Sequence, residues 1–374
     1  MGVHTPTDLI VKILSRLPSK SLLRCRSVCK SWLSLISSTQ FRLLYLQNFS
    51  RHLVLRVSWT KNKGMYIVPF NNQDTRVPIE LPLNLHLHLR TIGCCNGVIC
   101  LSDDYSGRDE TILWNPSIRK KLTLIPPFYR ENNSQSLSLV FGFGYDEMTD
   151  DYKVVRLAYN SRLMTIPHVE VYTVKTAIWR VVAFPHDLPC FCILPKWIHA
   201  RLCFNGSAHW IACANSLATH SSILTFDMST ERFCEIQLPE NLAQEFPMKL
   251  GLVIVEESLG VIYSSRVYYT SSTYVIWAMK EYKNPASWTM LYNIHYPDKD
   301  AGRALGVTNN GDLITKSTEG SLKIYNQEGS YNAYGNSSNE GIVSETIFVE
   351  RYGESLGLLD VGDDIGNEGQ LIIG

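Results

Sequence analysis

One strand–turn–strand pattern recurs along most of this chain and limits the folds that it can adopt. Each copy consists of an apolar strand, a small or polar residue, a turn, and a second strand that opens with an aromatic or aliphatic side chain. The reference residues of five copies, which lie 48 to 58 residues apart, are Asn115, Thr173, Asp227, Ala278 and Asn326. Short runs rich in β-branched and aromatic residues, separated by Gly, Pro, Asn, Asp and Ser, are typical of antiparallel strands.

A second strand pair precedes each hairpin, as in GCCNGVICLSD, ARLCFNGSAHWIAC and ALGVTNNGDLITKS. Each unit of about 50 residues therefore contains four strands, which is the composition of one blade of a β-propeller. A β-sandwich needs fewer strands and has no reason to repeat. We predict an all-β propeller of about six blades, with five or seven as alternatives, and SETIFVERYGESLGLL as the source of the strand that closes the ring. The side chains predicted to lie buried between blades are Trp179, Phe233, Trp288 and Tyr331.

The first forty residues have the spacing of helices instead. The segment TPTD at residues 5–8 has the features of a helix start, with a Thr N-cap, a proline at the first helical position and an acid in the first turn. Pro18 ends this helix, Ser19 is expected to cap a second, and a third is expected to begin near Ser27. The apolar face of the first helix consists of Leu9, Ile10, Ile13, Leu14 and Leu17. Three short helices cannot enclose this surface, so part of it must lie against the rest of the chain or a second protein.

The segment DLIVKILSRLPSKSLLRCRSVCKSWLSLIS resembles the F-box, a helical module that docks onto the Skp-type adaptor of cullin–RING ubiquitin ligases. The resemblance rests on the spacing of Leu17-Pro18, Ser21-Leu22-Leu23 and Val28-Cys29-Lys30-Ser31-Trp32. The family usually opens with Leu-Pro, where this chain has Thr5-Pro6. Transferred by position, the resemblance implies that the adaptor-binding residues are Pro6, Leu9, Ile10, Ile13, Leu17, Pro18, Leu22, Leu23, Val28, Cys29 and Trp32.

The strand-rich region resembles the F-box-associated region of a large plant F-box family, some members of which are called kelch-like. The segments that support this resemblance include GCCNGVICLSD, LWNPSIRK, FGFGYDEMTDDYKVV and ILTFDMSTERF. The predicted fold class is therefore an α+β multidomain chain. A three-helix F-box occupies residues 1–45, an F-box-associated β-propeller-like domain occupies residues 53–359, and a disordered tail occupies residues 360–374.

Composition excludes several function classes. The chain has 374 residues, of which 45% are hydrophobic and 19% are charged, so it is expected to be globular. Lys+Arg and Asp+Glu are 35 each, and this neutral balance argues against a nucleic-acid partner. No apolar run reaches the roughly 20 residues of a membrane span. We expect no secretory signal, and the ten cysteines then indicate reduced thiols in a cytoplasmic or nuclear protein.

Few patterns in the chain suggest chemistry. Asp103-Asp104 and Asp150-Asp151 follow strands and sit where acids commonly shape turns. His86-Leu87-His88 could place two imidazoles on one strand face, but no further ligand follows at zinc spacing, and Cys190-Phe191-Cys192 lacks the CxxC spacing. His209-Trp210 is expected to pack between blades and to hydrogen-bond a neighbouring strand. We predict no catalytic residue, no metal site and no cofactor.

The resemblance implies a substrate-recognition subunit of a Skp–cullin–F-box ubiquitin ligase rather than an enzyme. Its partners would be the Skp-type adaptor, the cullin and RING subunits bound through that adaptor, and a target protein recruited for degradation. Two alternatives stay open. The chain could act as an F-box protein outside the ligase, or it could be an enzyme built on the propeller. An enzyme would need convergent titratable or metal-binding side chains on the inner strands.

Target specificity is expected in loops on one rim of the propeller, because packing constrains the strands. The longest segments without a strand pattern are 103–110, 127–136, 186–196 and 240–247. They carry apolar and aromatic residues of the kind that form interface hot spots. The candidates for target binding are Phe128, Tyr129, Leu188, Phe191 and Phe246. The alternative is that these side chains cap the edges of blades.

Overall fold

The structure is a computed structural model of the chain. It describes residues 7–49, 53–59, 64–69, 77–79, 90–103, 110–125, 137–160, 165–186, 188, 192–193, 201–213, 220–267, 271–296, 302–308, 310–317, 322–326, 330–334, 344–347 and 352–362.

Four helices form the N-terminal part: α1 (Thr7–Leu14), α2 (Ser19–Cys25), α3 (Lys30–Ser37) and α4 (Thr39–Phe49). The predicted cap of the second helix is wrong, because Pro18 lies at the N-cap of α2. The Ser19 hydroxyl instead donates a hydrogen bond to the Ser117 carbonyl at 2.9 Å. The third helix begins three residues later than predicted, after Cys29 at its N-cap. Helix α4 has no counterpart in the prediction, because its apolar side chains are spread around the helix rather than along one face.

The described strands form six antiparallel sheets. Sheet 1 combines β1 (Leu53–Trp59), β2 (Gly64–Pro69) and β3 (Val77–Ile79) with β25 (Ser344–Ile347). Sheet 2 contains β4 (Arg90–Cys95), β5 (Val98–Asp103), β6 (Glu110–Asn115) and β7 (Lys120–Thr123). Sheet 3 contains β8 (Leu137–Asp146), β9 (Asp151–Asn160), β10 (His168–Thr173) and β11 (Ile178–Val182). Sheet 4 contains β12 (Cys192–Ile193), β13 (Arg201–Phe204), β14 (Ser207–Cys213), β15 (Ser221–Asp227) and β16 (Phe233–Gln237).

Sheet 5 contains β17 (Leu250–Val255), β18 (Ser258–Val267), β19 (Ser271–Met279) and β20 (Trp288–Tyr296), and sheet 6 contains β21 (Arg303–Val307), β22 (Leu313–Lys316), β23 (Leu322–Tyr325) and β24 (Tyr331–Tyr334). A short helix, α5 (Glu240–Ala243), connects sheet 4 to sheet 5.

Sheets 2 to 6 are five consecutive blades, since one apolar cluster lies between each neighbouring pair. The strand predicted to close the ring is β25, which pairs antiparallel with β1. Only Ser344–Ile347 of that predicted segment forms a strand in the described part of the chain.

The sequence alignment of the repeats is confirmed. Asn115, Thr173 and Asp227 each end the third long strand of a sheet, Ala278 lies one residue before the end of β19, and Asn326 directly follows β23. The hairpin that follows each of them carries the outer strand of the same sheet. The spacing of small and polar residues therefore predicts the blade repeat correctly.

The aromatic residues that open the outer strands do not all share one environment. Trp179 and Phe233 are buried, as predicted. Trp288 is half-buried, and its indole N–H donates to the Gln237 carbonyl of the preceding sheet at 3.0 Å. The prediction is wrong for Tyr331, which is exposed and lies against Tyr325 of its own sheet. Tyr331 opens the outer strand of the last consecutive blade, and within the described residues no later blade of this series follows it.

Strand order gives sheets 2 to 5 two distinct faces. The turn face carries the connections between β4 and β5, β6 and β7, β8 and β9, β10 and β11, β13 and β14, β15 and β16, β17 and β18, and β19 and β20. Contacts between these turns join the sheets: the Tyr152 hydroxyl donates to the Asn96 carbonyl at 3.4 Å, and the Ser229 hydroxyl donates to Asp146 at 2.7 Å. The opposite face, here called the loop face, carries the connections between second and third strands and between sheets. The flanking strands of 103–110, 127–136, 186–196 and 240–247 all end at the loop face.

Candidate protein-binding surfaces

The N-terminal helices enclose an apolar cluster that the rest of the chain completes. Its buried members are Leu14, Leu22, Ile36, Phe41, Tyr45 and Leu356. Leu356 comes from the far end of the chain, and Ile118, from the turn between β6 and β7, packs against the same cluster. The sequence left open whether the helices lie against the chain or a partner. One side of them lies against the turn face of the propeller.

Another side of the helices exposes large apolar residues to solvent. Leu9 and Ile13 are 49% and 60% exposed, and they lie one turn apart on α1. Val28 is 63% exposed, and its neighbour Cys29 and the more distant Pro18 are also exposed. These five residues belong to the predicted adaptor-binding set, and we call them the apolar docking surface.

The other predicted adaptor-binding residues differ in accessibility. Leu22, which the resemblance assigns to the adaptor surface, is completely buried in the cluster of the helices, so its adaptor contact stays a prediction. It shares this cluster with Leu356. The half-buried members of the set are Ile10, Leu17, Leu23 and Trp32. Pro6 lies outside the described residues.

The helices are strongly basic. Residues 7–49 contain seven Lys and Arg residues and one acid, Asp8, whereas the rest of the chain contains 28 basic and 34 acidic residues. Arg26 and Arg42 pair with acids at the C-terminal end and in the propeller. The other five, which are exposed and form no ion pair within the described residues, are Lys12, Arg16, Lys20, Arg24 and Lys30. The apolar docking surface therefore lies within a positively charged region.

Asp150 joins the helices to the propeller. It lies in the turn between β8 and β9, with a φ of 53°. Its carboxylate accepts hydrogen bonds from Arg42 Nη2 at 2.5 Å, from the Thr39 hydroxyl at 2.6 Å and from the Tyr145 hydroxyl. Burial alone would raise the pKa of this carboxyl, but these partners outweigh burial and hold the pKa below its usual value. Asp150 thus has an interdomain role, while the adjacent Asp151 accepts the backbone N–H groups of Lys175 and Tyr152 and shapes the turn.

The predicted interblade role of His209 and Trp210 is confirmed. The Trp210 indole N–H donates to the Phe141 carbonyl of sheet 3 at 3.0 Å. His209 is fully buried, and its Nε2 lies 2.9 Å from the Tyr282 hydroxyl of sheet 5. Burial lowers the pKa of His209 to about 4, and burial raises the pKa of Tyr282 to about 12. Both side chains are therefore neutral at pH 7. His209 Nδ1 lies 3.1 Å from the Ser207 carbonyl, which can only accept, so Nδ1 carries the proton and Nε2 accepts from the Tyr282 hydroxyl.

Two of the predicted target-binding residues lie in the described part of the loop face. Phe246 is exposed in the connection between β16 and β17, next to exposed Met248. Leu188 is half-buried and packs against the cluster between sheets 3 and 4, which fits the alternative that it caps a blade edge. Phe128, Tyr129 and Phe191 lie outside the described residues. His86, His88 and Cys190, which were considered as metal ligands, also lie outside them.

Across the described residues, no group of three or more His, Cys, Asp or Glu side chains is arranged to hold a metal ion. Among the same residues, no helix is long and apolar enough to cross a membrane.

Comparisons with known proteins agree with this architecture. Residues 6–44 match the F-box domain family, and residues 52–337 match the family described as F-box associated beta propeller domain. An F-box/kelch-repeat protein of Arabidopsis thaliana is 30% identical over 306 residues, covering 78% of this chain and 79% of the relative. F-box protein CPR1 of Arabidopsis thaliana is 27% identical over 314 residues, covering 78% of this chain and 73% of the relative.

Solved structures with some similarity include a puromycin hydrolase, with a TM-score of 0.40 and 10% identity over 66% of this chain and 39% of that chain. Aleuria aurantia lectin gives a TM-score of 0.39 and 9% identity over 79% of this chain and 100% of that chain.

An F-box followed by an F-box-associated β-propeller domain defines a class of F-box proteins. This chain belongs to the family of F-box proteins that carry an F-box-associated β-propeller domain.

Proposed function

We propose that this chain is the substrate-recognition subunit of a Skp–cullin–F-box ubiquitin ligase, acting in the cytoplasm, the nucleus or both. The F-box would bind the Skp-type adaptor and, through it, the cullin and RING subunits, while the propeller would bind a target protein. The observation that supports this most directly is the apolar docking surface. The core of the helices is complete once Leu356 is included, yet Leu9, Ile13 and Val28 stay exposed to water, as in a protein-binding surface.

The charge of the helices supports the same proposal. Five exposed cations lie in the same helical region as the apolar docking surface. An acidic surface on the adaptor would be attracted to them, and such attraction speeds association and favours the correct orientation. Apolar contacts would then supply most of the affinity, because the exposed parts of these side chains leave water on binding.

The proposed mechanism requires no reacting group in this chain. The loop segments predicted to bind the target connect strands at the loop face, whereas the F-box packs on the turn face. Both partners could therefore bind at once without competing for one surface. Simultaneous binding raises the local concentration of a target lysine near the ubiquitin-charged conjugating enzyme. The chain would act as a non-catalytic bridge.

The proposal is tested by replacing Leu9 and Ile13 together with Asp. About half of each side chain is exposed, so the two together would bury apolar surface worth about 1.5–3 kcal/mol, or roughly 10- to 150-fold in Kd. Adaptor binding is measured by titration calorimetry. The matched control is Ile166→Asp, which changes a similarly exposed apolar residue of the propeller. An unchanged adaptor Kd in L9D/I13D, with the helices still folded, would reject the proposed docking surface.

A further inference from the structure

Leu356 is part of the core of the F-box although it lies more than 300 residues away in the chain. Its side chain is 1% exposed and belongs to the same cluster as Leu14, Leu22 and Ile36. Leu359 also packs against this cluster. The helical module alone would therefore leave part of its apolar surface uncovered, and the C-terminal segment 352–360 covers it.

Glu354 adds polar contacts to the same helices. Its Oε2 accepts hydrogen bonds from the Ser19 backbone N–H and from the Tyr45 hydroxyl, both at 3.1 Å. The first bond satisfies an N–H in the opening turn of α2, which has no side-chain cap of its own. Burial, and then the charge of Glu354, raises the pKa of Tyr45, so its hydroxyl remains a donor. One carboxylate thus fixes both α2 and α4.

Asp360 holds the third point of contact with the helices. Its Oδ1 accepts from Arg26 Nη2 at 2.7 Å, and its Oδ2 lies 3.5 Å from Arg42 Nη1. Because Arg42 also pairs with Asp150, it links the C-terminal segment to sheet 3 through a single guanidinium. Asp360 is the first residue of the tail that the sequence predicts to be disordered, and it nevertheless forms these contacts. Residues 363–374 lie outside the described part of the chain.

The same segment is fixed to sheet 2 on its other side. The Asn115 side-chain amide donates to the Ser355 carbonyl at 3.1 Å, to the Ser355 hydroxyl at 3.0 Å and to the Gly357 carbonyl at 2.8 Å. The Ser117 and Tyr352 hydroxyls lie 2.7 Å apart. Gly357 packs so closely that an added Cβ would lie 2.4 Å from the Tyr152 hydroxyl oxygen. The segment is therefore anchored on both sides, between the F-box and the propeller.

We propose that residues 352–360 form a clasp that holds the F-box at one fixed orientation to the propeller, with Glu354, Leu356 and Asp360 as positioning residues for ubiquitin transfer. The part concerning transfer rests on the proposed function. Transfer by proximity depends on where the acceptor lysine is held, and a displacement of about 1 Å can change a rate by on the order of 100-fold. A rigid bridge presents a few lysines to the charged conjugating enzyme, whereas a loose bridge presents many lysines less well.

The orientation is tested first in the isolated full chain. Spin labels on Cys29 of the F-box and Cys234 of sheet 4, two exposed cysteines, give a distance distribution by pulsed electron resonance, with Cys190, Cys192 and the partly exposed Cys25, Cys95 and Cys203 replaced by serine. We expect one narrow distribution for the parent chain and a broad one for E354Q/D360N. The matched control is Glu256→Gln, which removes the carboxylate from an exposed 2.8 Å pair with Lys280 far from the clasp. It should leave the distribution narrow.

Positioning is tested next in the reconstituted ligase by mapping the lysines of this chain that become ubiquitinated. We expect E354Q/D360N to bind the adaptor with unchanged Kd, to modify the preferred lysines on the order of tenfold more slowly, and to spread modification over additional lysines. D360E keeps the carboxylate, so it should give the parent pattern of modified lysines, whereas D360N should not. D360N alone changes a partly exposed side chain, so it provides a folded variant if the double substitution does not fold.

A narrow distribution in both D360N and E354Q/D360N would overturn the clasp. A broad distribution with an unchanged lysine pattern and rate would overturn its role in positioning. If the parent chain fails to bind the adaptor, the proposed function fails, but the distance measurement still decides whether the clasp exists.

Discussion

Lys153 connects two neighbouring sheets through a buried ionic cluster. It lies on β9 with its side chain only 6% exposed. Its Nζ donates to Asp146 Oδ2 at 2.8 Å, to Glu231 Oε1 at 3.0 Å and to the Met228 carbonyl at 2.6 Å. The last two acceptors belong to the turn after β15, so this one ammonium group joins sheet 3 to sheet 4.

We predict that Lys153→Met lowers the free energy of unfolding by about 3–5 kcal/mol, because it leaves the Asp146 carboxylate buried without its cation. The matched control is Lys280→Met. Lys280 pairs with Glu256 at the same 2.8 Å distance, but the two side chains are 44% and 47% exposed. Solvent screens that pair, so its removal should cost at most about 1 kcal/mol. Because the Lys153–Asp146 and Lys280–Glu256 pairs have the same length, the contrast reports burial together with the two further acceptors of Lys153.

Urea unfolding followed by circular dichroism measures both variants, and its pH dependence provides a second test. Burial alone would raise the pKa of Asp146, but hydrogen bonds from Lys153, Ser229 and Thr149 hold it well below its usual range. A depressed carboxyl pKa stabilises the fold above the unfolded pKa of about 3.8, and this contribution is lost as pH falls through the folded pKa. In K153M the Asp146 pKa should rise, so stability should fall at higher pH than in the parent. Equal losses in K153M and K280M would refute this reasoning.

Three further outcomes are expected. His209 has a folded pKa of about 4 and an unfolded pKa of about 6.5, so at His209 only the unfolded chain gains a proton between these pH values. The free energy of unfolding should therefore fall as pH drops from about 6.5 to 4, by up to about 1.4 kcal/mol per pH unit. His209→Gln should remove this contribution to the slope in urea unfolding. Trp179→Phe should cost about 1–3 kcal/mol in the same assay, because it leaves the carbonyl that accepts the indole N–H at 2.6 Å unpaired. Gly357→Ala should cost about 1–3 kcal/mol through its clash with Tyr152 and should speed hydrogen exchange in the F-box, while Gly362→Ala, with open space around it, should change neither.

The repeat was predictable because each hairpin is a local structure. Asn115, Thr173 and Asp227 lie at strand ends because a small or polar residue there favours a turn, and this preference is visible in a short window of sequence. The burial of Trp179 was predictable from its repeat position, but the exposure of Tyr331 was not. The two residues occupy equivalent positions in the repeat, and their difference in burial follows from the position of each blade in the series.

In the helices, too, the local sequence does not predict which apolar residues are buried. The apolar period of α1 predicts one broad apolar face, and the structure divides it into buried Leu14 and exposed Leu9 and Ile13. The family motif does not distinguish Leu22, which is buried, from Val28, which is exposed, because both are apolar residues at motif positions. What decides between them is the surface that covers each one, and for Leu22 that surface includes Leu356.

The sequence by itself determined the helical module, the strand repeat and the family, because periodicity, turn residues and motifs act over short distances along the chain. The tertiary structure alone decided which apolar residues stay exposed and that the far end of the chain completes the F-box. The bond between Ser19 and Glu354 joins residues 335 positions apart. No local preference encodes such a contact. The sequence around Glu354 and Asp360 does not distinguish them from other surface acids, and only the tertiary structure places Tyr45, Arg26 and the start of α2 beside them.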